Sequence, residues 1–366
     1  MKNDFFYIEK NNLYRQLKTN NSDAMQFSSN NYLGLAGDER LKEAVIEAVK
    51  KYGVGSTGSR LISGTHKLHV ELEEKIAELK GTERALVFST GYTANLGVLS
   101  AVLSEQDAVY SDQLNHASII DGIKLSRANK FIYKHCDIAD LEKLLSENHQ
   151  KYRLNLIITD SIFSMDGDRA PLKEIVELKK KYNALLFVDE AHAFGIYGSN
   201  GQGLCHELGI NKEVDIQMGT LSKAAGSEGG YIAGSRELIE FLINKSRSFI
   251  YSTAPSIPAI AASIKAVEII KEGHHLRQKL YENINYLNSR LTPSQSPIFS
   301  IKFDTVEQTC RVSEQLLEKY NIQATAIRPP TVETPRIRIS TTALHTRKEL
   351  DYLIKSLKSL SFNFVR

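Results

Sequence analysis

The chain has 366 residues, 42% hydrophobic and 24% charged. That excludes a disordered polymer and, at roughly 150 residues per domain, suggests two domains. A net charge of only +3 gives no reason to expect affinity for nucleic acid or an anionic membrane. Cys136, Cys205 and Cys310 lie far apart with no CxxC pair, so no disulfide framework or metal site is expected.

The N-terminal stretch is charged too often to hold the apolar segment of a signal peptide. No run of about 18 uncharged apolar residues follows it. A cytoplasmic protein is expected. Leu41–Tyr52 has the spacing of an amphipathic helix. Seven short apolar runs then read as buried strands: Ala85–Ser89, Ala108–Ser111, Lys130–Tyr133, Leu154–Asp160, Leu185–Asp189, Ile216–Thr220 and Gly230–Ala233. Unbroken apolar runs suit strands covered on both faces. Helical patterns such as Leu141–Glu147 and Leu172–Tyr182 lie between them, which predicts an α/β fold with a mostly parallel seven-stranded sheet. After residue 255 the pattern changes. One long helix, Ile257–Leu291, is followed by a strand (Ile298–Phe303), a helix (Val306–Tyr320), a strand (Ile337–Thr341) and a helix (Lys348–Leu360). The expected organisation is an N-terminal segment (1–39), a large domain (40–255) and a smaller α+β domain (256–366).

Three motifs fail on context. Gly53–Gly58 matches the dinucleotide fingerprint GxGxxG, but a helix rather than a strand precedes it. Asp189–His192 spells DEAH, yet no Gly-Lys pair exists to complete a phosphate loop. His206-Glu207 opens HExxH, but Ile210 stands at the second histidine position.

A fourth pattern holds. Lys223 follows an apolar strand and sits among Ser, Ala and Gly in Gly219–Gly230. A lysine is ordinarily a solvated surface group, but one between a buried strand and a glycine-rich loop suits Schiff-base chemistry. Asp189 ends another apolar strand, where an unpaired carboxylate is costly and where ligands bind in open α/β sheets. An aspartate there can hold a protonated pyridine nitrogen, with His192 three residues on. These are the protein parts a pyridoxal phosphate enzyme requires.

The sequence here resembles the α-oxoamine synthases, fold-type I pyridoxal phosphate enzymes that condense an amino acid with an acyl thioester. The resemblance covers nearly the whole chain, through Ser28–Leu35, Gly55–His69, Ser89–Asn95, Asp112–Gly122, Ser161–Leu172, Phe187–Gly198, Gly219–Ser227, Phe249–Pro255 and Arg336–Ser340. It implies that Lys223 binds the cofactor, Asp189 the pyridine nitrogen and His192 the ring hydroxyl, while His116 stacks on the ring. It further implies that Gly91 and Tyr92 meet the phosphate, at what reads as a helix start suited to it. Ser164, Thr220 and Ser222 resemble other cofactor ligands. Thr253 resembles a phosphate ligand given by a second subunit, implying a homodimer with shared sites. Singly these residues have bland readings: His116 a core or turn histidine, Ser164 a turn residue, Arg338 a solvent-facing strand residue.

The resemblance also implies substrates. Arg338 and Asn30 match groups that hold the amino-acid carboxylate, a planar recognition that suits arginine. The run Ala326–Val332 resembles that of family members joining L-alanine to a pimeloyl thioester. Thr331 matches a substrate-binding threonine and Arg15 an arginine near the acyl substrate. The alternative within the family is glycine with acetyl-CoA.

Overall fold

The computed structural model describes residues 8, 10, 13–15, 17, 19 and 23–360. The chain forms two compact units. The larger comprises Leu33–Phe163 and Arg169–Arg277; the smaller comprises Met1–Tyr32, Ser164–Asp168 and Gln278–Arg366.

The larger unit is built on seven strands: β1 (Arg84–Phe88), β2 (Ala108–Asp112), β3 (Asn129–Tyr133), β4 (Asn155–Asp160), β5 (Leu185–Asp189), β6 (Ile216–Thr220) and β7 (Gly230–Gly234). Their order is β1-β7-β6-β5-β4-β2-β3. β7 runs antiparallel to both neighbours and the other pairs are parallel. Every residue of β2, β4, β6 and β7 is buried, as their unbroken apolar runs require. β3 differs from the buried strand expected of it. It is the sheet edge, paired only with β2, and most of its residues meet solvent. Leu86, Phe88, Ile158, Phe187 and Ile232 anchor a core that continues into Val98, Leu99 and Ile119 of the covering helices. Those helices, Gly91–Val102 and Ala117–Ser126, meet closely at Gly122, where a Cβ would lie 2.7 Å from Leu99 Cδ1.

The expected long helix is two helices, Ile257–Glu272 and His274–Asn288, interrupted at Gly273. The unit boundary falls after Arg277 rather than at 255/256. Its cause is the packing of Ile257 and Ala261 against Ala48 of helix Glu39–Tyr52, which draws Ile257–Glu272 into the larger unit.

In the smaller unit, β8 (Ile298–Lys302), β9 (Thr325–Ile327) and β10 (Arg336–Ser340) form an antiparallel sheet of order β9-β10-β8. Helices Val306–Tyr320 and Arg347–Ser359 accompany it. The first residues are not a separate segment there, because Met25–Gln26 pairs in parallel with Ile322–Gln323. No helix among the described residues is long and apolar enough to cross a membrane.

Candidate active site

In the larger unit, β4, β5 and β6 end at Asp160, Asp189 and Thr220. Asp160 and Asp189 are register partners, both buried. The Asp189 carboxylate accepts the Asn95 side-chain N–H at 2.8 Å and the Ala191 backbone N–H at 2.9 Å. Both donors are neutral, so no cation among these hydrogen-bond partners balances the buried carboxyl group, and a cationic ring N–H is well matched to it. His192, one short turn on, is also buried.

Lys223 lies in a loop closed by its own backbone: Leu221 N–H donates to Gly229 O, Gly226 N–H to Lys223 O, and Ser227 N–H to Leu221 O, each at 2.9 Å. Gly226 has φ of 65°, and a Cβ there would meet Ala36 N at 2.3 Å, so this tight approach needs glycine. His116 caps helix Ala117–Ser126 and its ring remains open to solvent on one side. Crowding by protein pushes its pKa down; Asp189 opposes that and Lys223 adds to it. Burial, then the Asp189 charge, push the Asp160 carboxyl well above its usual range, with Lys223 acting the other way. Lys223, Asp189, His116 and Asp160 thus form one electrostatic group.

The first turn of helix Gly91–Val102 leaves the Gly91 and Tyr92 amides without intrahelical acceptors. Thr90 caps it: Thr90 Oγ1 accepts the Thr93 N–H at 3.0 Å, and Thr93 Oγ1 accepts the Thr90 N–H at 3.1 Å. A Cβ on Gly91 would lie 2.9 Å from Met218 Cε and 3.4 Å from Thr220 Oγ1. Thr220 Oγ1 in turn lies 2.9 Å from Ser222 Oγ and donates to Gly229 O at 2.8 Å. Free amides at a helix start, two hydroxyls beside them and only glycine at the contact make a cradle for a phosphate. With Asp189 and Lys223, this set fits pyridoxal phosphate. Thr253 is exposed and belongs to another feature, a clasp in which it pairs with Ser59 while Ala254 N–H donates to Gly58 O at 2.9 Å.

The smaller unit holds the remaining expected residues. Arg338 is buried on β10. Its guanidinium donates to Ser164 O at 2.6 Å, Ser340 Oγ at 2.8 Å and Asn30 Oδ1 at 2.9 Å. Tyr32 also donates to Asn30 Oδ1, at 3.0 Å. Each of these partners is neutral, whereas the neighbouring Arg336 is ion-paired with Asp166. A buried guanidinium with neutral partners is suited to an incoming carboxylate. Ser164 meets it through its carbonyl, not its hydroxyl. Arg15 and Thr331, 316 residues apart, are joined by a 2.9 Å hydrogen bond from the guanidinium to Oγ1. They line a cavity of about 940 Å³ bordered also by Tyr14, Arg311 and Arg328.

Sequence reasoning missed Asn95, Ser118 and Asp160. Asn95 donates to Ser118 Oγ at 2.9 Å as well as to Asp189. The available signal was an asparagine among Ala94, Val98 and Leu99 on the helix's apolar side, since such a group is buried only with partners. It also missed the fully buried ion pair of Lys80 with Glu190, the residue after Asp189. Asp112, His135 and Cys136 converge at the ends of β2 and β3. The Asp112 carboxylate there already accepts the Leu114 and Cys136 backbone N–H groups, each at 2.8 Å, so the cluster is a loop clasp.

Residues 22–357 match the family model for class I and II aminotransferases. The chain is 46% identical over 347 residues to 8-amino-7-oxononanoate synthase of Thermoanaerobacter pseudethanolicus, covering 92% of this chain and 88% of that one. The chain belongs to the α-oxoamine synthase branch of this family. The α-oxoamine synthase fold recurs in serine palmitoyltransferase from S. paucimobilis with a bound PLP–myriocin aldimine. That structure has a TM-score of 0.89 and 29% identity, over 92% of this chain and 87% of that one. The Francisella tularensis 8-amino-7-oxononanoate synthase matches with a TM-score of 0.79 and 28% identity, over 93% and 100%. The seven-stranded sheet is thus the fold-type I sheet of the α-oxoamine synthases.

Proposed function

We propose that the protein is a pyridoxal phosphate-dependent acyltransferase. It joins L-alanine to a pimeloyl thioester, releasing carbon dioxide and the thiol and forming 8-amino-7-oxononanoate, a step of biotin synthesis. Identity of 43–48% over 90–97% of the chain, to several relatives bearing that synthase's name, carries the substrate reading. The neutral-partnered Asp189 and Arg338 are what support the chemistry.

Bound pyridoxal phosphate supplies an electron sink for a carbanion at the amino-acid Cα. Lys223 Nζ would hold the cofactor, and its free amine would take the Cα proton. Asp189 would hold the pyridine nitrogen in its protonated form, His192 would serve the ring hydroxyl, and His116 would lie against the ring. Gly91 and Tyr92 offer amides to the phosphate, with Thr220, Ser222 and Ser164 as further polar ligands. Arg338 and Asn30 hold the substrate carboxylate; Arg15 and Thr331 serve the acyl substrate.

A homodimer belongs to this reading, with Thr253 given to the phosphate of a second copy. Its support is the clasp around Thr253, which carries exposed apolar residues: Val54 at 66%, Ile62 at 86% and Tyr251 at 72%. Apolar side chains so exposed in one area mark a protein contact. A cytoplasmic location and no nucleic-acid or membrane partner complete the reading. Incubation with L-alanine and pimeloyl-CoA should release free CoA and carbon dioxide together. Thiol release without carbon dioxide, or neither, would end it.

A further inference from the structure

We propose that His116 is held as its neutral Nε2–H tautomer by its work as a helix cap, and that Asn95 and Ser118 are positioning residues tying that cap to the Asp189 carboxylate. The use made of the ring rests on the proposed function. The tautomer follows from the hydrogen bonds alone.

His116 Nδ1 accepts the backbone N–H of Ser118 at 3.2 Å. A backbone amide only donates, so Nδ1 presents a lone pair and the ring proton sits on Nε2. Ser118 Oγ lies 2.7 Å from the same Nδ1, and against a lone pair its hydroxyl donates. Ser118 Oγ accepts from Asn95 Nδ2 at 2.9 Å, and Asp189 Oδ2 accepts from the same nitrogen at 2.8 Å. A carboxylate only accepts, which fixes which end of the Asn95 amide faces it. Every bond in the series Asp189–Asn95–Ser118–His116 therefore has one direction. Protonating Nδ1 would break two of these bonds and uncap the helix. The same series ties the ring plane of His116 to the Asp189 carboxylate, so the two groups are oriented together through one NH2 group.

The groups facing His116 are Lys223, Asp189, Asp160 (whose Oδ2 accepts the His116 backbone N–H at 2.8 Å) and the edge-on Tyr92 ring. Ser118→Ala alters none of them. Nitrogen-15 NMR of the histidine-labelled holoenzyme, with the resonance assigned by its loss in His116→Asn, reads the tautomer directly. The expected result at pH 7 is an unprotonated Nδ1 and a protonated Nε2. An Nδ1–H ring or an imidazolium overturns the proposal, whatever the variants do. Ser118→Ala should make His116 about two- to tenfold easier to protonate, the worth of one hydrogen bond, and Ser118→Thr should reverse this. An unchanged titration in folded Ser118→Ala overturns the coupling. The cofactor reading fails separately, if borohydride reduction of the holoenzyme leaves no pyridoxyl group on Lys223.

Discussion

Asp160 and Asp189 stand side by side at the carboxyl ends of β4 and β5, two buried carboxyl groups on neighbouring strands. Burial and the Asp189 charge raise the Asp160 pKa. A carboxyl whose pKa is raised by folding binds its proton more tightly in the native state. Its contribution to stability is present below the unfolded value, about 3.9, and is lost as pH rises toward the native value. Asp160→Asn retains an oxygen for the His116 N–H and removes the titration. Urea unfolding at pH 4, 6 and 8 should show this variant gaining on the wild type as pH rises. A variant that loses ground with rising pH would mean that Asp160 is ionised and stabilised by the fold.

Lys223 should carry the cofactor. Purified protein is expected to be yellow, and borohydride reduction followed by peptide mapping should place the pyridoxyl group on Lys223. A label on another lysine would move the site.

Asp189→Asn should keep the fold and lose most turnover. A charge-assisted hydrogen bond in a buried place is worth about 1.5–3 kcal/mol, which is roughly 10–100-fold in rate. Loss of the ring's positive charge should add to that. The check is kcat beside an unchanged urea midpoint; turnover at the wild-type rate would remove Asp189 from its role.

The sheet was legible because its strands are buried on both faces and so are written as unbroken apolar runs. β3 misled for the complementary reason. Phe131, Ile132 and Tyr133 look like a core strand, yet nothing pairs with the far side of that edge. The Ile257–Leu291 pattern keeps helical spacing across Gly273, so its interruption left no trace in periodicity. Lys223 and Asp189 stood out from local setting, Asp189 as the charged end of an apolar strand and Lys223 as a lysine in the small-residue loop that follows one. Asn95, Ser118 and Asp160 were not, because their partners lie 23 to 94 residues away and only the fold brings them together. Arg15 was reached only by family resemblance, and its contact with Thr331 spans almost the whole chain.

Shared sites in a homodimer have a direct consequence. Lys223→Ala and Thr253→Ala proteins, each impaired alone, should regain activity when mixed, since one hybrid site then holds both native residues. At random exchange about half of the dimers are hybrids, so recovery should approach a quarter of wild-type activity, because each hybrid restores one site of two. Sedimentation showing a dimer that exchanges subunits without recovery would place Thr253 outside the partner's site.

The central claim is substrate choice. The turn that bears Thr331 is closed by its N–H on Arg328 O at 3.1 Å and contains two prolines, Pro329 and Pro330, whose fixed φ stiffens it. A stiff wall beside a cavity of about 940 Å³ suits a long acyl chain, and Arg15 or Arg328 can meet the far end of a pimeloyl group. Space for one methyl distinguishes alanine from glycine by only about 1–3 kcal/mol, so glycine should bind but turn over poorly. The deciding measurement is kcat/KM for L-alanine with pimeloyl-CoA against glycine with acetyl-CoA, the pair used by 2-amino-3-ketobutyrate CoA ligase. The account predicts that alanine with pimeloyl-CoA is faster by at least about tenfold; glycine with acetyl-CoA outpacing it would contradict the assignment.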